Sequence, residues 1–151
     1  MKIRNYCLVL GILLFSMASS LRAAGQAAAG RRTLAQAGDT VWVVINHVKA
    51  DKRAQFERFV TEIFWPMAAK LGPADQRTFR QTRVLNPVRP EADGTYSYFF
   101  VMDPVITGAN YDILTLLKKM YGNEKAAAYF KQFTESLSGK HQMFVTVQSR
   151  Y

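Results

Sequence analysis

Two segments of this sequence have the pattern of β-strands with apolar side chains on both faces, and they restrict the fold more than any other feature. The first is TVWVVINHV at 40–48, and the second is TYSYFFVMD at 95–103. Strands of this kind are typical of the middle of a sheet that is covered on both sides. The fold therefore has to place both segments centrally and cover two sheet faces.

The segment after the first strand is predicted to be a helix over 52–71, because its apolar residues recur at a spacing of three and four. Asp51 is the expected N-cap. Pro66 removes one helical hydrogen bond, so a kink or an early end is expected near Trp65. Gly72-Pro73 is expected to stop the helix.

The remaining elements follow from alternation, helical spacing and turn residues. They are a strand at 77–85, a hairpin loop at 86–94, helices at about 110–121 and 124–137, and a strand at 141–149. Asn123 is the expected cap of the last helix and Gly139 its end. The complete order is β-α-β-β-α-β.

This order predicts an α+β, ferredoxin-like fold with a four-stranded antiparallel sheet, strand order 4-1-3-2 and helices on one face. The helices would leave the second apolar face of the sheet without cover. Two such sheets packed face to face would cover both second faces, so a homodimer through the sheet face is expected.

The stretch INHVKADKRAQFERFV at 45–60 and the βαββαβ order resemble the dimeric α/β-barrel superfamily, which includes the antibiotic-biosynthesis-monooxygenase-like domains. The shared pattern is a helix start from Lys49 to Phe56, and the resemblance spans about 40–149. It implies a dimeric α/β barrel. The superfamily holds cofactor-free oxygenases, haem-degrading enzymes, haem peroxidase-like proteins and proteins without an assigned activity.

The haem-degrading branch is similar in fold but differs at the residues that it uses. Its pattern has an Asn early in the first strand and a His in the second helical region. Here Asn46 lies late in its strand, and residues 108–139 contain no His. The functional residues of that branch are therefore not carried over.

Residues 1–24 have the order of a secretory signal peptide, with the basic MKIRNY, the apolar CLVLGILLF and a tail of small residues. Export to a periplasmic or extracellular location is expected, with no stable membrane span after cleavage. The one cysteine, Cys7, lies in this segment, which excludes cysteine chemistry in the mature chain. Residues 25–39 are expected to be a flexible leader and residues 40–151 the folded domain.

The formal net charge of +9 does not by itself indicate a nucleic-acid partner. The cations are spread along the chain, whereas a nucleic-acid surface requires them to cluster on one face. No nucleic-acid partner is therefore expected.

His47 and His141 are the two histidines of the chain. In strand order 4-1-3-2 they are expected near one end of the sheet, and they share a face only if the register permits it. Such a pair could hold a metal or haem iron with Asp51 or Asp103 as a third ligand. The alternative is two strand-end histidines in contact with water.

Several polar and aromatic side chains stand among apolar strand residues and could converge in a small-molecule pocket between sheet and helices. The candidates are Asn46, His47, Trp65, Arg80, Arg83, Tyr96, Tyr98 and His141. Five aromatic residues could stack on a flat ligand or pack in the core and a dimer interface: Trp42, Phe64, Trp65, Phe99 and Phe100. Cross-strand pairing and dimer contacts are the alternative for the polar set.

The leading hypothesis is an exported, dimeric protein that binds a small, largely apolar or aromatic molecule. One alternative is a cofactor-free monooxygenase-like enzyme acting on a phenolic or quinol substrate, and another is a haem or metal binder. No cofactor is predicted and no catalytic residue is identified, so the sequence leaves open whether the protein is an enzyme.

Overall fold

The computed structural model describes residues 32–151, which form an antiparallel sheet with helices packed on one face. The elements are β1 (Thr40–Val48), α1 (50–70), α2 (Pro73–Gln81), β2 (Thr82–Leu85), β3 (Tyr96–Met102), α3 (Ile113–Tyr121), α4 (Asn123–Ser136) and β4 (Gln142–Val147). The strand order is β2-β3-β1-β4. This confirms the predicted order 4-1-3-2 and the ferredoxin-like α+β fold.

The central strand β1 pairs antiparallel with β3 on one edge and with β4 on the other. Val44 lies opposite Phe100 of β3 and opposite Met143 of β4. Because facing residues of antiparallel strands point to the same side, this register assigns every strand residue to one of two faces. The helix-side face includes Trp42, Val44, Asn46, Val48, Tyr96, Tyr98, Phe100 and Met102. The outer face includes Val41, Val43, Ile45, His47, Ser97, Phe99, Val101 and Asp103.

The hydrophobic core lies between the helix-side face and the helices. Phe56 of α1 is completely buried, with its ring centroid 4.6 Å from that of Tyr98 and 5.9 Å from that of Phe133 in α4. Val48 and Leu117 are also completely buried. The predicted apolar stripe of α1 is therefore the main contact between helices and sheet.

Helix α1 contains a π-helical segment, Phe59–Phe64, between two short α-helical pieces. Its last bond, from the Trp65 N–H to the Val60 carbonyl oxygen, comes directly before Pro66, which has no N–H to donate. Phe59 and Phe64, five residues apart, stack with ring centroids 5.6 Å apart. The disturbance expected at Pro66 thus takes the form of a π turn, and the helical chain continues to Lys70.

Two predicted helix caps are wrong. Asp51 lies inside the first 3₁₀ turn and makes no capping hydrogen bond, because the chain turns directly after β1 and the Lys52 N–H donates to the Lys49 carbonyl oxygen at 3.0 Å. Asn123 is the first helical residue of α4. Gly122 takes the cap position there because its φ of 79° suits glycine.

The predicted strand at 77–85 is also wrong in its first half, because residues 77–81 belong to helix α2. Pro73 occupies the first turn of α2, a position that suits proline. Phe79 is buried, with its ring centroid 5.0 Å from that of Phe64, and the Thr82 hydroxyl donates to the Thr78 carbonyl oxygen at 2.9 Å. Helical packing and this bond keep the chain helical until Thr82.

The predicted signal peptide at 1–24 and the first part of the predicted leader lie outside the described residues, so export stays a prediction. The Ala35 N–H donates to the Asp103 carboxylate at 2.9 Å. The Gly38 N–H donates to the Gln148 carbonyl oxygen at 3.0 Å and the Gln148 N–H to that of Asp39 at 2.9 Å. The two bonds of Gln148 extend the pairing of β1 with β4. Across residues 32–151, no helix has the length and apolarity required to cross a membrane.

A polar network joins the start of α1 to β3. The Tyr98 hydroxyl donates to the Glu57 carboxylate at 2.6 Å, and the Arg53 guanidinium donates to the same carboxylate at 2.9 Å. Arg53 also lies 4.4 Å from the centre of the Tyr96 ring. Burial, followed by the Glu57 bond, raises the pKa of Tyr98 to about 12, and the Tyr98 hydrogen bond lowers the pKa of Glu57.

We predict that Tyr98→Phe lowers the free energy of unfolding by about 1 kcal/mol, because it removes a buried hydrogen bond to a charged group.

A carboxylate with a lowered folded-state pKa stabilises the fold above its unfolded-state pKa, and this contribution is lost as the pH falls. The loss of stability as the pH falls through and below about 4.3, the usual pKa of an unfolded glutamate, should therefore be smaller in Glu57→Gln than in the wild type. Urea unfolding measures both effects. Glu62→Gln, on an exposed position of α1, is the control, and an equal acid-dependent loss in Glu57→Gln and wild type would contradict the assignment.

Candidate functional site

A cavity of about 600 Å³ lies between the helix-side face of the sheet and the helices. Every helix contributes to its wall, together with β1, β3 and the chain that leads into β4. Its lining is mainly apolar and aromatic: Trp42, Val44, Phe64, Trp65, Phe79, Phe100, Met102, Tyr111, Ile113, Leu116, Phe130, Phe133, Leu137 and Met143. Its volume lies within the range of about 300–1,000 Å³ that is usual for small-molecule sites.

The aromatic side chains support one another around the cavity. The Trp65 ring centroid lies 5.2 Å from that of Phe79 and 6.1 Å from that of Phe100. On another part of the wall, Trp42 lies 5.4 Å from Tyr111, whose hydroxyl accepts a hydrogen bond from the Ile106 N–H at 2.9 Å. These ring–ring contacts hold the aromatic side chains of the wall against one another.

Most polar groups in the lining are already bonded to the protein. The Thr78 and Thr82 hydroxyls donate to backbone carbonyl oxygens four residues earlier, and the Thr134 hydroxyl does the same. The Asp112 carboxylate caps α3 by accepting from the Thr115 N–H at 2.7 Å. These groups stabilise the helices and offer little to a ligand.

Asn46 is the exception in the wall. Its side chain is on the helix-side face of β1, the residue is 3% exposed, and its amide has no hydrogen-bond partner within residues 32–151. The amide nitrogen and oxygen are not among the fully buried atoms without a partner in residues 32–151, so the amide opens onto the cavity, where water can bond to it. A ligand in the cavity would take the place of that water.

Two basic residues stand at the same end of the cavity. The β1–β4 pairing ends with Ile45 opposite Gln142, and Lys140 and His141, directly before Gln142, line the same cavity as Asn46. Lys140 and His141 are exposed, line the cavity, and have no hydrogen-bond or ion-pair partner in the part of the chain that the structure describes. Asn46, Lys140 and His141 thus lie near the end of β1 and the start of β4, while the indole N–H groups of Trp42 and Trp65 are further donors of the wall without an acceptor in residues 32–151.

Three of the eight predicted pocket residues line this cavity together: Asn46, Trp65 and His141. His47 does not, because it lies on the outer face, where its Nδ1 is 3.0 Å from the Ser97 hydroxyl. It lines a shallower hollow beside the 86–95 loop. His47 and His141 thus lie on opposite faces of the sheet and cannot share a ligand.

The other four predicted residues have structural contacts elsewhere. Tyr96 and Tyr98 are on the helix-side face but belong to the Arg53–Glu57 network at the far side of Phe56. Arg83 forms an ion pair with Asp103 at 2.5 Å. Arg80 is exposed on α2 and bonds only to Gln76, at 3.5 Å, among the described residues.

No group of three or more His, Cys, Asp or Glu side chains within residues 32–151 is placed to hold a metal ion. The potential third ligands named with the histidines have other surroundings: Asp51 is exposed on the first turn of α1, and Asp103 pairs with Arg83. The described residues therefore do not assemble the histidine-centred site that the sequence suggested as an alternative.

Four of the five aromatic residues predicted to stack on a ligand line the cavity, namely Trp42, Phe64, Trp65 and Phe100, whereas Phe99 lies on the outer face. Lys140, Tyr111 and Met143 were not predicted. Alternation around Val44 could have identified Met143, which is its partner in β4. Lys140 and Tyr111 lie outside regular elements, where no periodic signal exists.

No protein-family model and no curated protein sequence matches the chain. A solved structure from Caulobacter crescentus CB15, provisionally named an antibiotic biosynthesis monooxygenase, is 16% identical. The match covers 76% of this chain and 92% of that chain, with a TM-score of 0.40. At this level of similarity no activity and no residue role is transferred.

We predict that Asn46→Leu raises the free energy of unfolding of the ligand-free protein by up to about 1 kcal/mol, because an amide without a protein partner in residues 32–151 is replaced by an apolar group at a residue that is 3% exposed. Thr82→Val is the matched comparison. It is also buried on the sheet, but its hydroxyl is bonded, so its loss should cost about 1 kcal/mol. Urea unfolding of both variants measures the two opposite signs. Destabilisation by Asn46→Leu would show that the amide is already satisfied.

Proposed function

We propose that this protein binds a small, largely apolar molecule in the cavity between the sheet and the helices. The observation that carries the proposal is the aromatic cavity of about 600 Å³ whose wall presents the Asn46 amide, which has no hydrogen-bond partner within residues 32–151. A mostly apolar space with a few free polar groups is the usual form of a small-molecule site, in which burial gives affinity and the polar groups fix orientation.

The energetics of packing also support a ligand. An empty apolar cavity leaves its lining without contacts on one side and destabilises a core by roughly 24 cal/mol per Å³ of residual volume in well-studied cases. A core of Phe, Leu and Met residues would gain stability by collapsing into such a space. We infer that ligand binding offsets this cost.

We predict that Val44→Phe blocks the binding of an uncharged apolar probe such as Nile red. The added ring would fill the space beside Trp42 and Phe100, where Val44 is half-buried in the cavity wall. We expect the Kd from fluorescence titration to rise at least about tenfold, since the loss of contact area removes more than about 1.4 kcal/mol of binding free energy.

Val88→Phe is the matched control, because it makes the same change at a position in the 86–95 loop that is 97% exposed. Its Nile red titration should equal that of the wild type. Unchanged binding in Val44→Phe, with a native circular dichroism spectrum, would place the probe elsewhere and refute the proposal.

We also propose that the protein is a homodimer in which the outer faces of two sheets pack together. The outer face presents partly or largely exposed apolar side chains on three strands: Val41, Val43, Ile45, Phe99 and Phe144. None of these residues belongs to the core cluster beneath the helices. A flat apolar face is self-complementary under a two-fold axis, which makes a second copy the fitting partner.

We predict that the wild-type protein sediments as a dimer at micromolar concentration and that Val43→Glu is a monomer. Val43 lies opposite Val101 and Phe144, at the centre of the outer face, so a carboxylate there would be buried without a partner. Thr61→Glu, on the exposed side of α1, should leave the dimer intact. A wild-type protein that sediments as a monomer would refute this interface.

A further inference from the structure

The chemistry of the free polar groups narrows the class of ligand. The Thr78, Thr82, Thr134 and Asp112 side chains of the lining bond to helix backbone, and the Tyr111 hydroxyl accepts from the Ile106 N–H. The remaining side chains with hydrogen-bonding capacity at the β1–β4 end are Asn46, Lys140 and His141. An ammonium group only donates, and an amide and an imidazole can both donate. This end of the cavity is therefore suited to a group that accepts several hydrogen bonds.

Charge points to the same kind of group. Lys140 and His141 are adjacent in sequence, exposed at the cavity mouth and free of carboxylate partners within residues 32–151. The one acidic residue in the lining is Asp112, whose carboxylate already accepts the Thr115 N–H and caps α3. A carboxylate ligand would meet an unpaired cation and a buried amide donor, and charge-assisted hydrogen bonds are the strongest that such a site can form.

The rest of the cavity determines the body of the ligand. Beyond Asn46 the wall is formed by the rings of Trp42, Trp65, Phe79 and Phe100. Flat aromatic molecules stack on such rings or contact their edges, which adds about 0.5–1.5 kcal/mol per pair to the burial of apolar area. A flat body with one acidic end would use both parts of the cavity.

We infer that the cavity takes an aromatic acid, with its carboxylate between Asn46, His141 and Lys140 and its rings among the tryptophan and phenylalanine side chains. This inference rests on the proposed function, because it assigns the ligand class of the same cavity. It also assigns the orientation of the ligand: the acidic group lies near the end of β1 and the start of β4, and the rings lie toward Trp65.

The test is calorimetric titration of the full protein with 2-naphthoate, with 2-naphthamide and with decanoate. The acid and the amide share one ring system, so their difference reports the charge. Decanoate keeps the carboxylate without the rings. We expect naphthoate to bind about tenfold more tightly than either of the others, as a charge-assisted hydrogen bond at a partly exposed site allows.

Three variants locate the acidic group. We expect a three- to tenfold weaker affinity for naphthoate, roughly, in each of Lys140→Met, His141→Gln and Asn46→Leu. The affinity for naphthamide should stay nearly unchanged in Lys140→Met and His141→Gln. Lys125→Met removes an exposed cation from the first turn of α4, outside the cavity lining, and should change neither affinity. Nile red titration of each variant shows that its cavity is intact.

The outcomes separate the two proposals. If neither Nile red nor any naphthyl compound binds, the proposed function fails. If Nile red binds and naphthoate is no tighter than naphthamide, or does not bind, the ligand class is wrong while the function stands. Equal affinities for decanoate and naphthoate would overturn the aromatic part, and an equal effect of Lys125→Met and Lys140→Met would overturn the position of the acid.

Discussion

The double pairing of β1 is the constraint on which the rest of the structure depends. With β3 hydrogen-bonded on one edge and β4 on the other, β1 cannot shift its register without moving apolar side chains of three strands to the wrong face. Its alternation therefore fixes two environments at once. Trp42, Val44 and Asn46 meet the helices, while Val43 and Ile45 form the outer face.

Much of the fold could be predicted from the sequence, because strong local patterns agree with the global arrangement. The bounds of β1 and β3 follow from runs of β-branched and aromatic residues, and the strand order follows from the element order. The predictions were wrong where a single residue has two structural roles. Gly72-Pro73 stops one helix, but Pro73 also starts the next, so the alternating residues up to Gln81 form a helix and not a strand.

The candidate site was harder to predict. Alternation in the sequence shows which residues share a face of the sheet, but a cavity depends on how the helices pack on that face. Alternation places Asn46 and Tyr98 on the same face, yet Phe56 packs against Tyr98 and Glu57 binds its hydroxyl, whereas Asn46 lines the cavity and has no hydrogen-bond partner in residues 32–151. His47 was excluded only by the register. Lys140 carries no periodic signal, so only the three-dimensional structure shows that it lines the same cavity as Asn46.

The π turn of α1 means that chain length, and not only side-chain identity, shapes the cavity wall. A π turn is equivalent to an α-helix with one inserted residue. Loss of one residue within 59–64 would let α-helical bonds reform and would rotate the following residues by about 100°, the angle per residue of an α-helix. Trp65 would then turn out of the wall. A single-codon deletion in this segment could thus remodel the binding cavity while leaving the sheet and its pairing untouched.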